Sequence, residues 1–347
     1  MEPIYVYPGS FCPPTYGHRW LVEQASEHFG KVYVVCSTNP EKNGRWFSEE
    51  ECKSLWTAYT LPAGVEVVTL SEFMTLGFVP KQLVMIRGIR NEDDAEHEKK
   101  VMLHNKEMFG IEKYFYIFSI PEFENVSSSK ARKTAEALDF ELLAELVAPA
   151  VVTRLLEKVL KLKNLFLVVG PPGSGKSTFL RMVAEHDETC VHLNTDDFND
   201  QLRPFIQSRF PGEDLIAVAR DREDELKELI KEPWFNLLRD AMSTVLPGSN
   251  LFVEIPYGLQ PGKRMYRFVG GKVVYIGCED RATLISRING RGTPRIVEFV
   301  DWIPGKDRTV EICQEENLQL VKTVDTSCSL PELGQVATEL AHQLKGD

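Results

Sequence analysis

Gly170-Pro171-Pro172-Gly173-Ser174-Gly175-Lys176-Ser177-Thr178 decides how this chain divides and what one half of it binds. Phe166 to Val169 lead into it as a short apolar strand, and Phe179, Leu180, Met182 and Val183 follow at helical spacing. Strand, glycine-rich turn and helix in that order make a phosphate-binding loop. Gly170, Gly173 and Gly175 let the backbone curl so that its N–H groups surround a polyphosphate at a helix N-terminus. Lys176 adds a point charge, Ser177 offers an oxygen to Mg²⁺, and Ser174 and Thr178 fall within the same nucleotide site.

Working outward, the loop lies near the midpoint of 347 residues, which predicts two doubly wound α/β domains, 1–163 and 164–347. With 43% apolar and 26% charged residues and no apolar run near twenty, the chain reads as globular, with no membrane-spanning helix. Met1-Glu2-Pro3 opens straight into a strand without a signal peptide, so a cytoplasmic location is expected. The net charge of −11 is spread over both halves, which disfavours long nucleic acids as partners and leaves small molecules. Seven cysteines, none in a C-x-x-C pair, fit reduced thiols and neither a disulfide framework nor a zinc site.

The first half alternates strands and helices. Ile4 to Tyr7, Val32 to Cys36, Val65 to Leu70, Leu83 to Ile86 and Tyr114 to Phe118 read as strands of an open parallel sheet. Ser48 with Glu51 three residues on is a capping box that starts a helix. Polar residues gather where ligands of such sheets bind, at carboxyl ends of strands: Thr15-Tyr16-Gly17-His18, Arg87-Gly88-Ile89-Arg90-Asn91, and Ser127-Ser128-Ser129-Lys130 before a helix. Leu142 to Leu162 is apolar at helical spacing and predicts one closing helix.

Those blocks, with Lys42, Asp94-Ala95-Glu96-His97-Glu98 and Asn105, give residues 3–160 a resemblance to the bacterial phosphopantetheine adenylyltransferases of the T/H-x-G-H nucleotidyltransferase superfamily. The resemblance implies a Rossmann-like domain that joins the phosphate of 4′-phosphopantetheine to the α-phosphorus of ATP, releasing pyrophosphate with Mg²⁺ assistance. It implies that Thr15, His18 and Lys42 are catalytic, and that Ser10, Lys42 and Arg87 hold the acceptor phosphate. Phe11, Gly17, His18, Gly88, Arg90, Glu98, Ser127, Ser128 and Ser129 would hold ATP, and a homo-oligomer is expected. Two positions depart from the family: Cys12 stands in place of an acidic residue and His97 in place of an aromatic one. A changed acceptor, nicotinamide mononucleotide, is the alternative, because that relative also occurs fused to a P-loop kinase.

In the second half, Cys190 to Leu193, Leu251 to Ile255, Lys272 to Gly277 and Leu318 to Val321 read as further strands. Asp196, in Asn194-Thr195-Asp196-Asp197-Phe198, has two readings: a base for an attacking hydroxyl, or part of a helix cap. Glu254 reads either as a magnesium-side carboxylate or as a salt-bridge partner. Arg287, Arg291 and Arg295 recur every four residues, as a cationic lid or a solvated helix face. This half resembles P-loop kinases of the polynucleotide and zeta types, which implies Asp196 as general base, Arg291 as lid arginine and Arg287 at ATP. The kinase acceptor stays open between dephospho-coenzyme A and pantetheine. A nucleic-acid end-healing role is the remaining alternative, and no chemistry is read in the tail from Thr309 onward.

Overall fold

The computed structural model describes residues 2–38, 45–213, 218, 221–255, 259, 266–291, 297, 300–301 and 303–346. The chain separates into two compact units, Met1–Val151 and Val152–Asp347. Among the described residues each unit carries one five-stranded sheet.

The first sheet contains β1 (Ile4–Gly9), β2 (Val32–Cys36), β3 (Val65–Thr69), β4 (Leu83–Ile89) and β5 (Lys113–Phe118), in the order β3-β2-β1-β4-β5. All its pairs are parallel; Tyr5 lies opposite Val32 and Val6 opposite Met85. β2 is buried along its whole length, as a central strand covered on both faces must be. The chain leaves β1 toward β2 on one side and later returns to β4 on the other. That reversal is a switch point, the place where ligands of such sheets bind, and the Thr15 to His18 and Arg87 to Asn91 segments lie at the carboxyl ends of β1 and β4 there.

The second sheet contains β6 (Asn164–Val169), β7 (Cys190–Asn194), β8 (Asn250–Glu254), β9 (Lys272–Gly277) and β10 (Gln319–Asp325), ordered β10-β9-β6-β8-β7 and again parallel. β6 is central, so its glycine-rich loop issues between the ends of β8 and β9. The helices Lys176–His186 and Leu330–Gly346 bury Phe179, Val183, Leu333, Ala337 and Leu340 together with Phe166, Val168 and Val274 of the sheet.

The closing helix differs from its expected form. It is two helices, Phe140–Leu146 and Pro149–Val159, because Pro149 has no N–H to continue the first and forces extended backbone before it. The units also divide within the second of these helices, earlier than Lys163. Its later residues are bound into the second unit: the Gly271 N–H donates to Thr153 Oγ1 at 2.7 Å, and Lys272 Nζ and the Leu165 N–H both donate to Glu157 Oε1. Gly270 has φ +128, and a Cβ there would lie 1.8 Å from Thr153 Oγ1.

Candidate active sites at the two switch points

In the first unit Thr15, fully buried, caps the helix Tyr16–Phe29. Its Oγ1 accepts from the His18 N–H at 3.4 Å, and its own N–H donates to His18 Nδ1 at 3.1 Å. Nδ1 is therefore an acceptor, which assigns the hydrogen of the neutral ring to Nε2 and makes that nitrogen the donor. Gly17 begins the same helix beside Val126. Below the imidazole, the Phe11 ring is buried edge-on to His18 at 5.2 Å. Phe11 sits at φ +41, a strained position for a residue with a side chain, and its ring folds back onto Gly9, where a Cβ would lie 2.7 Å away. Its ring thus supports His18 from the core.

The preceding loop is tied down from three directions. Tyr59 Oη donates to the Pro14 carbonyl at 3.0 Å, Ser128 Oγ donates to the Pro13 carbonyl at 2.7 Å, and Arg132 donates to the Cys12 carbonyl. Ser127 caps the helix Ser128–Glu136 by accepting from the Lys130 N–H at 3.2 Å, and Arg132 reaches Ser129 Oγ at 3.3 Å. Ser128 directly, and Ser129 through Arg132, thus bind this helix start to the His18 loop, while Ser127 caps it. Cys12 and Cys52 are buried with both sulfurs near the Phe47 carbonyl, at 4.0 and 3.9 Å. A hydrogen bond from Cys52 pulls the Cys12 thiol down, against the effect of burial.

Arg87 and Glu98 were expected on different ligands, and the structure joins them. Arg87 Nε and Nη2 donate to the two Glu98 oxygens at 2.7 and 2.6 Å, and Nη1 donates to the Pro8 carbonyl at 3.0 Å. Glu98 is buried and gives both oxygens to that pair. Arg90 forms a second fork, to Asp94 at 2.7 and 2.9 Å, which holds the Asp94 carboxyl below the usual range. Gly88, between them, packs against Leu21, whose Cδ1 would lie 2.3 Å from an added Cβ. Ser10 is half-buried at the end of β1, and Lys42 lies outside the described residues.

In the second unit the glycine-rich loop is shaped by close approaches. Gly170 has φ +144 and a Cβ there would lie 1.9 Å from the Ile276 carbonyl oxygen, while one at Gly173 would lie 2.9 Å from Ile288. Gly175, at φ +85, precedes the helix that starts at Lys176 and carries Ser177 and Thr178 in its first turn. Lys176 Nζ donates to the Gly170 and Pro171 carbonyls at 2.9 and 3.0 Å and lies 3.2 Å from Glu254 Oε1. Ser174 Oγ is buried and has no hydrogen-bond partner among the described residues.

Glu254 closes a short chain of charge, since its other oxygen is 3.2 Å from His192 Nε2. Burial pushes the Glu254 carboxyl up, but the His192 hydrogen bond and the Lys176 charge outweigh it, and the net direction is down. Asp196 moves the other way. Its side chain is open to solvent, yet desolvation by the surrounding chain and then the Glu254 charge push its proton affinity up, against Lys176. The cap belongs to Asn194, whose side chain accepts from the Asp196 N–H at 3.1 Å. The Glu254 charge acts on Asp196, so these two carboxylates lie near each other beside the loop; with the Ser177 hydroxyl they are oxygens of the kind a hard cation such as Mg²⁺ takes.

Of the arginine series, Arg287 lies on the helix Arg281–Gly290, Arg291 is exposed just beyond its end, and Arg295 falls outside the described residues, as does most of the basic run Lys263 to Arg267. Arg287 is already engaged: Nη1 and Nη2 donate to Thr326 Oγ1 and to the Thr326 carbonyl at 3.1 and 2.8 Å. Thr326 belongs to the tail, in which the sequence showed no chemistry. It follows an edge strand, and only the strand order brings it to the loop.

Residues 6–134 match the cytidylyltransferase-like family and residues 165–254 match an AAA domain. The phosphopantetheine adenylyltransferase of Lactococcus lactis subsp. cremoris is 33% identical over 137 residues, covering 38% of this chain and 82% of the relative. That of Streptococcus sanguinis is 31% identical over 166 residues, covering 47% of this chain and 99% of the relative. Among solved structures, the NadR protein in complex with NR spans 100% of this chain and 96% of its own at 14% identity, with a TM-score of 0.33. Among the described residues no helix is long and apolar enough to cross a membrane. The chain belongs, through its first unit, to the phosphopantetheine adenylyltransferase family, and joins that nucleotidyltransferase to a P-loop unit of kinase-like type.

Proposed function

We propose that the first unit transfers the adenylyl group of ATP to 4′-phosphopantetheine, giving dephospho-coenzyme A and pyrophosphate, and that the second phosphorylates a hydroxyl of the same pathway. The observation that carries the first half is His18, whose Nδ1 is held by the Thr15 N–H so that Nε2–H is the donor, on the loop after β1. An oxygen of the acceptor phosphate attacks the α-phosphorus, and the bond to the bridging oxygen breaks. The nucleophile is already an anion, so the residues position and stabilise charge rather than remove a proton. His18 Nε2–H donates to the α-phosphate as charge builds. Arg87 offers the acceptor phosphate a guanidinium held rigid by Glu98, and Lys42, by the family resemblance, adds its charge.

In the second unit Asp196 takes the proton of the acceptor hydroxyl, whose oxygen attacks the γ-phosphorus while ADP leaves. Lys176 exchanges its two loop carbonyls for phosphate oxygens. Ser177 and Glu254 would hold Mg²⁺, which would supply charge neutralisation at the phosphates. We favour the ribose 3′-hydroxyl of dephospho-coenzyme A as acceptor, because it is the product of the first unit; pantetheine is the other candidate.

The test is mass spectrometry of products from ATP, Mg²⁺ and 4′-phosphopantetheine. Coenzyme A supports both halves of the proposal, and dephospho-coenzyme A alone supports the first and turns the kinase search to pantetheine. The absence of both refutes the acceptor, and nicotinamide mononucleotide is then tried. His18→Ala should abolish pyrophosphate release and spare the kinase, with Lys176→Ala doing the reverse, each by about a hundredfold or more. A single substitution that removes both activities breaks the two-site reading.

A further inference from the structure

We propose that Thr326 is the positioning residue that sets the Ser174–Gly175 peptide of the phosphate loop for nucleotide binding. This rests on the reading of the second unit as an ATP-using kinase. Thr326 is 2% exposed, lies beyond the matched AAA domain, and is anchored by its own N–H, which donates to the Gly277 carbonyl at the end of β9 at 2.8 Å.

The direction of each bond follows from donor chemistry. The Arg287 guanidinium only donates, so Thr326 Oγ1 must accept from Nη1 at 3.1 Å. The one hydroxyl hydrogen is then committed to the Ser174 carbonyl, 2.5 Å away. In a planar trans peptide the C=O and N–H point to opposite sides. Drawing the Ser174 carbonyl toward Thr326 therefore turns the Gly175 N–H away from Thr326, toward the inside of the loop. The Thr326 methyl sits 3.7 Å from where a Cβ on Gly175 would stand, which packs the outer side of the same peptide.

The Thr326 pin also ties the loop to the helix that carries Arg287. Arg287 lies on the helix Arg281–Gly290, whose Leu284 carbonyl and Ile288 side chain press on Gly173, where an added Cβ would meet them at 3.1 and 2.9 Å. One buried hydroxyl thus fixes both the peptide that faces phosphate and the arginine that approaches it. Because loop N–H groups bind the phosphates in ground and transition states alike, the effect falls on affinity for ATP.

The experiment measures Mg·ATP binding to the full chain by calorimetry. Lys176→Ala identifies the second unit's binding event, and the first unit's event serves as internal reference. Thr326→Val should weaken the second event about tenfold, Thr326→Ser should restore it to within about twofold, and the reference should not move. In turnover the KM for ATP should rise with kcat kept, whereas a merely structural residue would reduce the amount of active enzyme. Thr326→Ala removes the same hydroxyl without adding a methyl and should weaken binding likewise if the valine chain fails to fold. Affinity in the variants within about twofold of the parent would overturn the role of Thr326 and leave the kinase reading standing. A Lys176→Ala chain that keeps both events would overturn that reading, and this proposal with it.

Discussion

The two units share a sheet plan, five parallel strands with a central one followed by a candidate-site loop, yet they hold the cationic side chains at those loops through different parts of the chain. The first relies on side chains. A single helix, Glu92–Phe109, supplies both carboxylates that hold its arginines, Asp94 to Arg90 and Glu98 to Arg87, one turn apart. The second relies more on main chain: Lys176 rests on two carbonyls as well as on Glu254, and a Cβ at Gly170 would overlap the Ile276 carbonyl. Charge-assisted forks hold a geometry firmly and leave an unpaired buried charge when one partner goes. Carbonyl contacts leave no buried charge behind when a lysine moves to a phosphate, and of these partners of Lys176 only Glu254 carries charge.

That contrast is broken most severely at Asp196. Asp196→Asn should lower phosphoryl transfer by about 10²- to 10⁴-fold and leave pyrophosphate release from the first unit unchanged. The base works deprotonated, so the rate rises with pH through its pKa. Desolvation and Glu254 raise that pKa, placing the acid limb above the ordinary aspartate value of about 3.9. Glu254→Gln removes the second of those causes and should shift the limb downward. A limb that stays put would show that Asp196 is not the group being titrated.

Smaller, and confined to the first unit, is the cost of unpairing Arg87. Glu98→Gln keeps the shape and one acceptor but removes the charge that both guanidinium bonds meet. We expect a loss of about 3 kcal/mol, the low end for a broken buried pair because Arg87 remains 22% exposed. Chemical denaturation followed separately for the two units checks it, with the second transition as the reference that should not move. A loss under about 1 kcal/mol would mean that the Pro8 carbonyl alone holds Arg87.

Short-range features were legible in the sequence because they depend on neighbours. The strands before each ligand loop, the Ser48–Glu51 capping box and the glycine-rich turn all follow from local periodicity and backbone demands, and the structure has them. The break at Pro149 was also written locally, but the apolar spacing that runs through it concealed it. The Thr326 to Ser174 bond spans 152 residues and depends on β9 lying beside β6 and β10 beside β9, an order that periodicity does not encode. The Arg87–Glu98 fork was hidden differently: both residues were recognised, but their polar character pointed outward to ligands, and only packing shows that they face each other. Thr153 and Glu157 look like any helix positions until their partners Gly271 and Lys272 are known.

The mildest test probes how the first site keeps its loop without glycines of the second kind. Tyr59 is 5% exposed, and its hydroxyl donates to the Pro14 carbonyl at 3.0 Å and accepts from the Ala148 N–H at 3.3 Å. Burial keeps the phenol neutral by raising its pKa, so it acts as a plain donor and acceptor. Tyr59→Phe keeps the ring against Trp56 and Tyr16 and leaves one carbonyl and one N–H without that partner. A loss of about 1 to 2 kcal/mol in the first transition is expected, with adenylyl transfer falling in step as Thr15 and His18 lose a fixed lead-in. If stability falls and transfer does not, the Ser128 and Arg132 bonds to Pro13 and Cys12 are enough to hold the loop. The side-chain scaffold would then be redundant at this point, as the backbone loop of the second unit, with Gly170 against Ile276, cannot be.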